Sequence, residues 1–252
     1  MENIEKEKLN NDNVIKNFSY DQNEILYNIM MLHNNGEPFE CDMTASKLKF
    51  YNCSKKYPIP EPKILMDVYP QRDDIIKIEP FHHLPLEDNS ISSIVIDLPF
   101  VVSPPNAPSA KSNKEGASLI FKRFSGFYPV CELYMNYRYW IKEAYRVLKE
   151  DGICIFKCQN TVSGGINHFT EEYSFMCAVK EGFYVIDQFI LGAKARLISS
   201  SKIKKQMHAR KYTSSFWVFK KTDKFAKKLD YFAMMNGEFY EPKNYVRPEI
   251  EL

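Results

Sequence analysis

The stretch Ser93-Ile94-Val95-Ile96-Asp97-Leu98-Pro99-Phe100 decides the fold. Residues 93–97 are a continuous apolar run closed by an acid, the pattern of a parallel strand covered on both faces. The proline that follows cannot continue a hydrogen-bonded ladder, so the strand must end at or near Asp97. In an open α/β sheet the carboxyl ends of the strands are where ligands bind, which makes Asp97 a candidate functional residue from its position alone.

Working outward, the same pattern of apolar residues ending in an acid recurs upstream at residues 39–42, 63–67 and 75–79, which end in Asp42, Asp67 and Glu79. Ile25, Leu26, Ile29, Met30 and Leu32 stand at helical spacing within 21–34, and Asn35-Gly36 supplies the stop. Downstream, 130–149 carries Leu133, Tyr137, Trp140, Ile141, Ala144, Val147 and Leu148 on one broad face, closed by Glu150-Asp151-Gly152. A strand at 153–158, a helix at 170–181 and strands at 183–191 and 215–219 complete the alternation. Strands alternating with helices predict an α/β fold, a doubly wound and mostly parallel seven-stranded sheet with helices on both faces. Residues 1–20 read as a polar leader, 21–221 as the main domain with a Pro/Ser/Asn-rich loop insertion at 101–128, and 222–252 as a C-terminal extension.

Composition narrows the class. Hydrophobic residues are 44% and charged residues 26% of the 252, which excludes a disordered chain. A net charge of +2 is too small to announce a polyanion partner, so evidence for one must be local. Cys41, Cys53, Cys131, Cys154, Cys158 and Cys177 form no C-x-x-C pair, and several lie in apolar runs, as reduced core thiols do. With no signal-like or bilayer-spanning run, the expectation is a soluble, cytoplasmic protein with no membrane partner. His82 and His83 lack partners at metal-ligand spacing, so no metal site is expected, and Gly164-Gly165 lacks the surroundings of a phosphate loop.

The run Tyr145-Arg146-Val147-Leu148-Lys149-Glu150-Asp151-Gly152, followed by Ile153-Cys154-Ile155-Phe156, resembles the helix, turn and fifth strand of class I (Rossmann-like) methyltransferases. Asp97-Leu98-Pro99-Phe100 resembles the D-P-P-Y/F motif of the DNA amino-methyltransferases, with Leu98 where the motif has proline. Residues 39–47 with Phe50-Tyr51 and the run Asp67-Val68-Tyr69-Pro70 are similar to the cofactor-binding first and second strands of a phage and bacterial branch of that family, and the run 84–90 ahead of the fourth strand is also similar to that branch. In the first of these, Ala45, Ser46 and Leu48 stand where glycines are usual. The resemblance spans about residues 21–221 and implies an S-adenosyl-L-methionine-dependent methyltransferase acting on the exocyclic amino group of adenine in DNA.

That resemblance assigns roles. The Asp97 carboxylate and the Leu98 carbonyl would accept the two amino hydrogens and free the nitrogen lone pair, Pro99 would stiffen the turn, and Phe100 would stack on a flipped base. Asp42, Thr44 and Ser46 would lie by the methionyl end of the cofactor and Asp67 by its ribose. Glu79, Tyr69 and Phe81 would meet its adenine. For Asp42, Asp67 and Glu79 the plain alternative is a solvated turn or cap residue.

Lys194, Arg196, Lys202, Lys204, Lys205, His208, Arg210 and Lys211 fall in a stretch without an acid, which suits phosphate binding or a solvated loop. DNA is the expected partner, with RNA, a second copy of the chain or a partner subunit as alternatives. The rival functions are cytosine amino-methylation, methylation of RNA or a small molecule, and a catalytically silent methyltransferase-like module that binds nucleic acid or a partner.

Overall fold

In the computed structural model the described residues are 14–102, 126–195, 206–223 and 235–236. The chain divides into two units, Met1–Thr222 and Asp223–Leu252, and every element named below belongs to the first. Residues 103–125 of the expected insertion at 101–128 lie outside the described residues, as do Arg196, Lys202, Lys204, Lys205 and nearly all of 222–252.

Alternation of side chains along buried strands builds the fold. On β5 (Ile91–Asp97), Ile94 and Ile96 join one buried cluster while Val95 joins another; on β6 (Leu148–Cys158), Cys154, Phe156 and Cys158 go to the first and Ile153 and Ile155 to the second. A strand apolar on both faces has to be covered twice. Helix α1 (Gln22–His33) covers the second cluster with Ile25, Leu26, Ile29 and Met30. Helices α2 (Val130–Val147) and α3 (Thr170–Glu181) bring Leu133, Tyr137, Trp140, Ile141 and Ala178 to the first.

Caps mark the helix ends as the sequence suggests. The Asp21 carboxylate accepts the Asn23 N–H (2.9 Å) ahead of α1, and Gly182, at φ 111°, closes α3. Helix α2 ends at Val147, two residues before the predicted end, because Leu148 turns extended and pairs with Ile91. Within the first half of β6, where its register against β5 shifts, Asp151 has φ 65° and Gly152 is close-packed, so that a Cβ there would stand 2.9 Å from the Lys149 carbonyl oxygen.

The remaining strands are β1 (Phe18–Ser19), β2 (Cys41–Asp42), β3 (Ile64–Asp67), β4 (Ile76–Lys77), β7 (Thr161–Ser163), β8 (Ile166–His168), β9 (Tyr184–Gly192) and β10 (Thr213–Lys220). Among the described residues the main sheet has eight strands, in the order β1-β9-β10-β6-β5-β2-β3-β4. From β6 to β4 every pairing is parallel, and β10 runs antiparallel between β6 and β9. This is the doubly wound, mostly parallel α/β architecture expected from the sequence. It carries one strand beyond the seven predicted: Phe18–Ser19, at the end of the presumed leader, pairs parallel with β9. The Gly164-Gly165 pair turns a β7–β8 hairpin, with both glycines at positive φ (58° and 75°) as a tight hairpin turn requires. No helix among the described residues is long and apolar enough to cross a membrane.

Candidate functional site

The strand order reverses between β2 and β5, which lie side by side with Cys41 opposite Ile94 and Asp42 opposite Val95. That reversal is the place where doubly wound sheets open a crevice at their carboxyl edge. Asp42, Asp67 and Asp97 are the last residues of β2, β3 and β5, so three of the four predicted acids lie along that edge. Glu79 lies two residues past β4; it is more than half exposed and ion-paired to Lys77 at 2.8 Å.

Asp42 is buried. Its Oδ1 accepts the Thr44 N–H (2.7 Å) and hydroxyl (3.0 Å), and its Oδ2 accepts the Tyr51 hydroxyl (2.7 Å). Burial pushes its carboxyl up to about 6, opposed by those donors and reinforced by the charge of Asp97. The Thr44 hydroxyl oxygen in turn accepts the Asp97 backbone N–H (2.8 Å), so a hydrogen-bonded chain joins the first acid of the edge to the backbone of the motif on β5.

The turn after β2 is tied on both sides. Met43 N–H donates to the Val95 carbonyl on β5 (3.2 Å) and Ala45 N–H to the Met66 carbonyl on β3 (2.9 Å). The Asp67 carboxylate accepts the Ser46 N–H (2.8 Å) and the Tyr69 N–H (2.6 Å), shaping its own loop and the neighbouring one. Ser46 and Leu48 have φ of 45° and 54°, the left-handed region that glycine enters freely. The chain takes the turn without glycine, at a strain of about 1–3 kcal/mol per residue. Tyr69 is largely exposed, and Phe81, also at positive φ, packs edge-on against the Tyr139 ring.

Around the motif, the Leu98 side chain is buried in the first cluster, while Pro99 and Phe100 are half-buried. Tyr137 of α2, itself fully buried, donates its hydroxyl to the Pro99 carbonyl (3.4 Å) and so braces the turn from below. The Asp97 Oδ2 accepts from Lys157 Nζ at 2.9 Å. Lys157 stands opposite Asp97 in the β5–β6 ladder, and its ammonium also lies 5.1 Å from the centre of the Phe50 ring and 5.6 Å from that of Phe216.

Lys157 has no place among the site residues expected from the sequence, and Tyr51 enters only through the Phe50-Tyr51 pair of the cofactor-binding resemblance. The available signal for Lys157 was a lone charge at the carboxyl end of the apolar row Ile153–Ile155, which becomes meaningful only once β6 is known to neighbour β5.

The predicted nucleic-acid residues separate. Lys194 is exposed, 5.7 Å from the centre of the Tyr20 ring, and borders an open groove lined with Ser19, Asp21 and Lys56, which contains none of the edge acids. Arg210 is exposed. His208 is tied into the structure: Nε2 meets the Gly165 carbonyl oxygen at 2.6 Å and Nδ1 meets Asn167 Nδ2 at 3.2 Å. With Nε2 donating and Nδ1 accepting, both ring nitrogens are used, and the histidine straps its segment to the β7–β8 hairpin. His83 Nδ1 pairs with the buried Glu143 carboxylate at 2.8 Å, and no group of three metal-ligating side chains occurs among the described residues.

No protein-family model matches the chain, and no curated protein matches it in sequence. In structure it is similar to PvuII DNA methyltransferase, which is cytosine-N4-specific (19% identity, TM-score 0.35, 55% of this chain and 45% of that one). It is similar also to a candidate DNA modification methylase of Thermus thermophilus complexed with S-adenosyl-L-methionine (12%, 0.33, 60% and 55%). A third similar structure is a SAM-dependent methyltransferase of Archaeoglobus fulgidus (11%, 0.41, 79% and 94%). The chain spans about half the length of the first two proteins.

Proposed function

We propose that this protein transfers a methyl group from S-adenosyl-L-methionine to the exocyclic amino group of a nucleic-acid base, with adenine in DNA as the leading substrate and cytosine as the nearest alternative. The observation that carries the reading is the linkage Asp42–Thr44–Asp97 across the β2/β5 reversal, which draws a buried acid and the D-L-P-F turn to one end of two adjacent strands.

The residues on this edge suit a cationic donor carrying a ribose. Asp42 would offer negative charge to its sulfonium and ammonium, and Asp67 retains lone pairs for hydroxyls beside the two backbone bonds it accepts. When bound, the donor would supply the methyl: the nitrogen–carbon bond would form as the carbon–sulfur bond breaks, S-adenosylhomocysteine would leave, and the amino nitrogen would release one proton to water. The chain's part is to hold the base. Asp97 Oδ1 would accept one amino hydrogen and the Leu98 carbonyl the other, localising a lone pair otherwise delocalised into the ring. Because the second acceptor is a backbone carbonyl, leucine at position 98 leaves that acceptor in place. Phe100 would stack on the base, and Arg210 with the other basic residues of 194–211 would hold phosphates.

A second reading is favoured by the Asp97–Lys157 ion pair: a carboxylate already partnered by an ammonium suits a silent module that binds nucleic acid or a partner subunit without turnover. Methyl transfer from labelled S-adenosylmethionine to mixed-sequence DNA and RNA, compared between wild type and Asp97→Ala, separates the two. An active enzyme labels DNA, and Asp97→Ala lowers the rate by about a hundredfold or more. A wild type that binds S-adenosylhomocysteine in calorimetry yet labels no nucleic acid supports the silent module.

A further inference from the structure

Resting on that reading, we infer that Lys157 and Asp97 together form a donor–acceptor subsite for the edge of the target base, with Lys157 donating to the ring nitrogen beside the exocyclic amine.

The ion pair lies at the open end of the strands. It is not sealed in the core: the side chains of Lys157 and Asp97 are 11% and 24% exposed, and they lie on the same sheet face as Asp42 and Tyr51. Only one Asp97 oxygen is taken by Lys157; Oδ1 accepts no hydrogen bond among the described residues. Lys157 gives one of its three N–H groups to Asp97, and its position is fixed by the Phe50 and Phe216 rings, which hold the ammonium by cation–π attraction and leave donors to spare. The outcome is an acceptor and a donor held side by side by two adjacent strands in register.

Adenine and cytosine present the complementary pair, an amino group next to an unprotonated ring nitrogen. With the exocyclic group at Asp97, uracil would set a carbonyl oxygen against the carboxylate and a ring N–H against the ammonium, so both contacts would be repulsive. A lone carboxylate would reject the carbonyl only. Lys157 thus makes the pocket read two adjacent atoms of the base, and the charge pair that suggests a silent protein becomes the means of choosing an amino-bearing base. Lysine also suits the task because a partner remains for Asp97 when no base is present.

The test uses the full chain, with and without saturating S-adenosylhomocysteine, and measures by fluorescence anisotropy its affinity for single-stranded oligonucleotides in two pairs, adenine against hypoxanthine and cytosine against uracil. Within each pair the rings are of one size and differ at the two positions in question. Wild type is expected to favour the amino-bearing member of its substrate pair by about five- to a hundredfold, the range of a well-formed bidentate base contact. Lys157→Met is expected to bring that ratio within about twofold by losing the advantage of the amino-bearing base, and Lys157→Arg to keep most of it, with thermal melting reporting that each variant is folded. Equal binding within both pairs by wild type overturns the inference, as does a preference that survives in folded Lys157→Met. Absence of any S-adenosylhomocysteine binding by wild type would instead overturn the methyltransferase reading, and the two failures register in separate measurements.

Discussion

Asp42 carries a charge cost that pH can reveal. It is fully buried, and burial raises its carboxyl to about 6, whereas in the unfolded chain an aspartate titrates near about 3.9. Between these values the folded protein holds a proton that the unfolded chain has released, so stability from this group is complete below about pH 4 and is lost as pH rises through about 6. Unfolding free energies from urea titrations across this window should fall with rising pH by up to about 3 kcal/mol more in wild type than in Asp42→Asn, which has no proton to lose. Parallel curves for the two proteins would show that Asp42 does not titrate in this range. At this scale the sequence was informative where chemistry and position coincide: an acid after an apolar run marks a strand end, and Asp42, Asp67 and Asp97 are all strand ends. It was silent about Lys157 and carried Tyr51 only within the Phe50-Tyr51 pair; the roles of both depend on the atoms opposite them.

At the level of elements, the segment between β4 and β5 is latched to α2 by Arg146 and Glu143. Glu143 is buried and accepts the Leu84 N–H (2.8 Å), His83 and Arg146; Arg146 donates to the Leu84 carbonyl (3.2 Å), the Leu86 carbonyl (2.9 Å) and Asp88 (2.6 Å). Burial alone would raise the Glu143 carboxyl, but the Arg146, Leu84 and His83 contacts outweigh it and hold it low. Arg146→Met leaves that carboxylate buried without its main cation and should cost about 3 kcal/mol. Amide hydrogen exchange should then quicken at Leu84 and Ser90 while α3 keeps its protection; uniform loss of protection would show that the latch is not local. Helices were legible in the sequence because caps and 3.6-residue spacing are local properties, and α3 matches its expected bounds. Short pieces such as Phe18–Ser19 and the β7–β8 hairpin were not, since two or three residues carry too little pattern to stand out from a loop.

Across the whole molecule one sheet divides two cores, and adjacent residues of β6 serve opposite ones: Phe156 the cluster under α2 and α3, Ile155 the cluster under α1. If the sheet couples the two, Ile155→Ala and Phe156→Ala should each cost about 2–5 kcal/mol and each shift one shared unfolding transition of the Met1–Thr222 unit. Separate far- and near-ultraviolet circular dichroism midpoints in either variant would show that the two faces unfold independently. The same division explains what could be read in advance. Apolar runs, their lengths and their terminal acids fix which segments are buried strands and that helices must cover both faces, because periodicity along the chain is written residue by residue. Which strand lies beside which is settled only by packing, between segments about sixty residues apart in the case of Asp97 and Lys157. The acids of the edge therefore belong to the sequence, whereas the ammonium opposite Asp97 and the bracing role of His208 exist only in the folded chain, where strand order and register bring distant side chains within hydrogen-bonding reach.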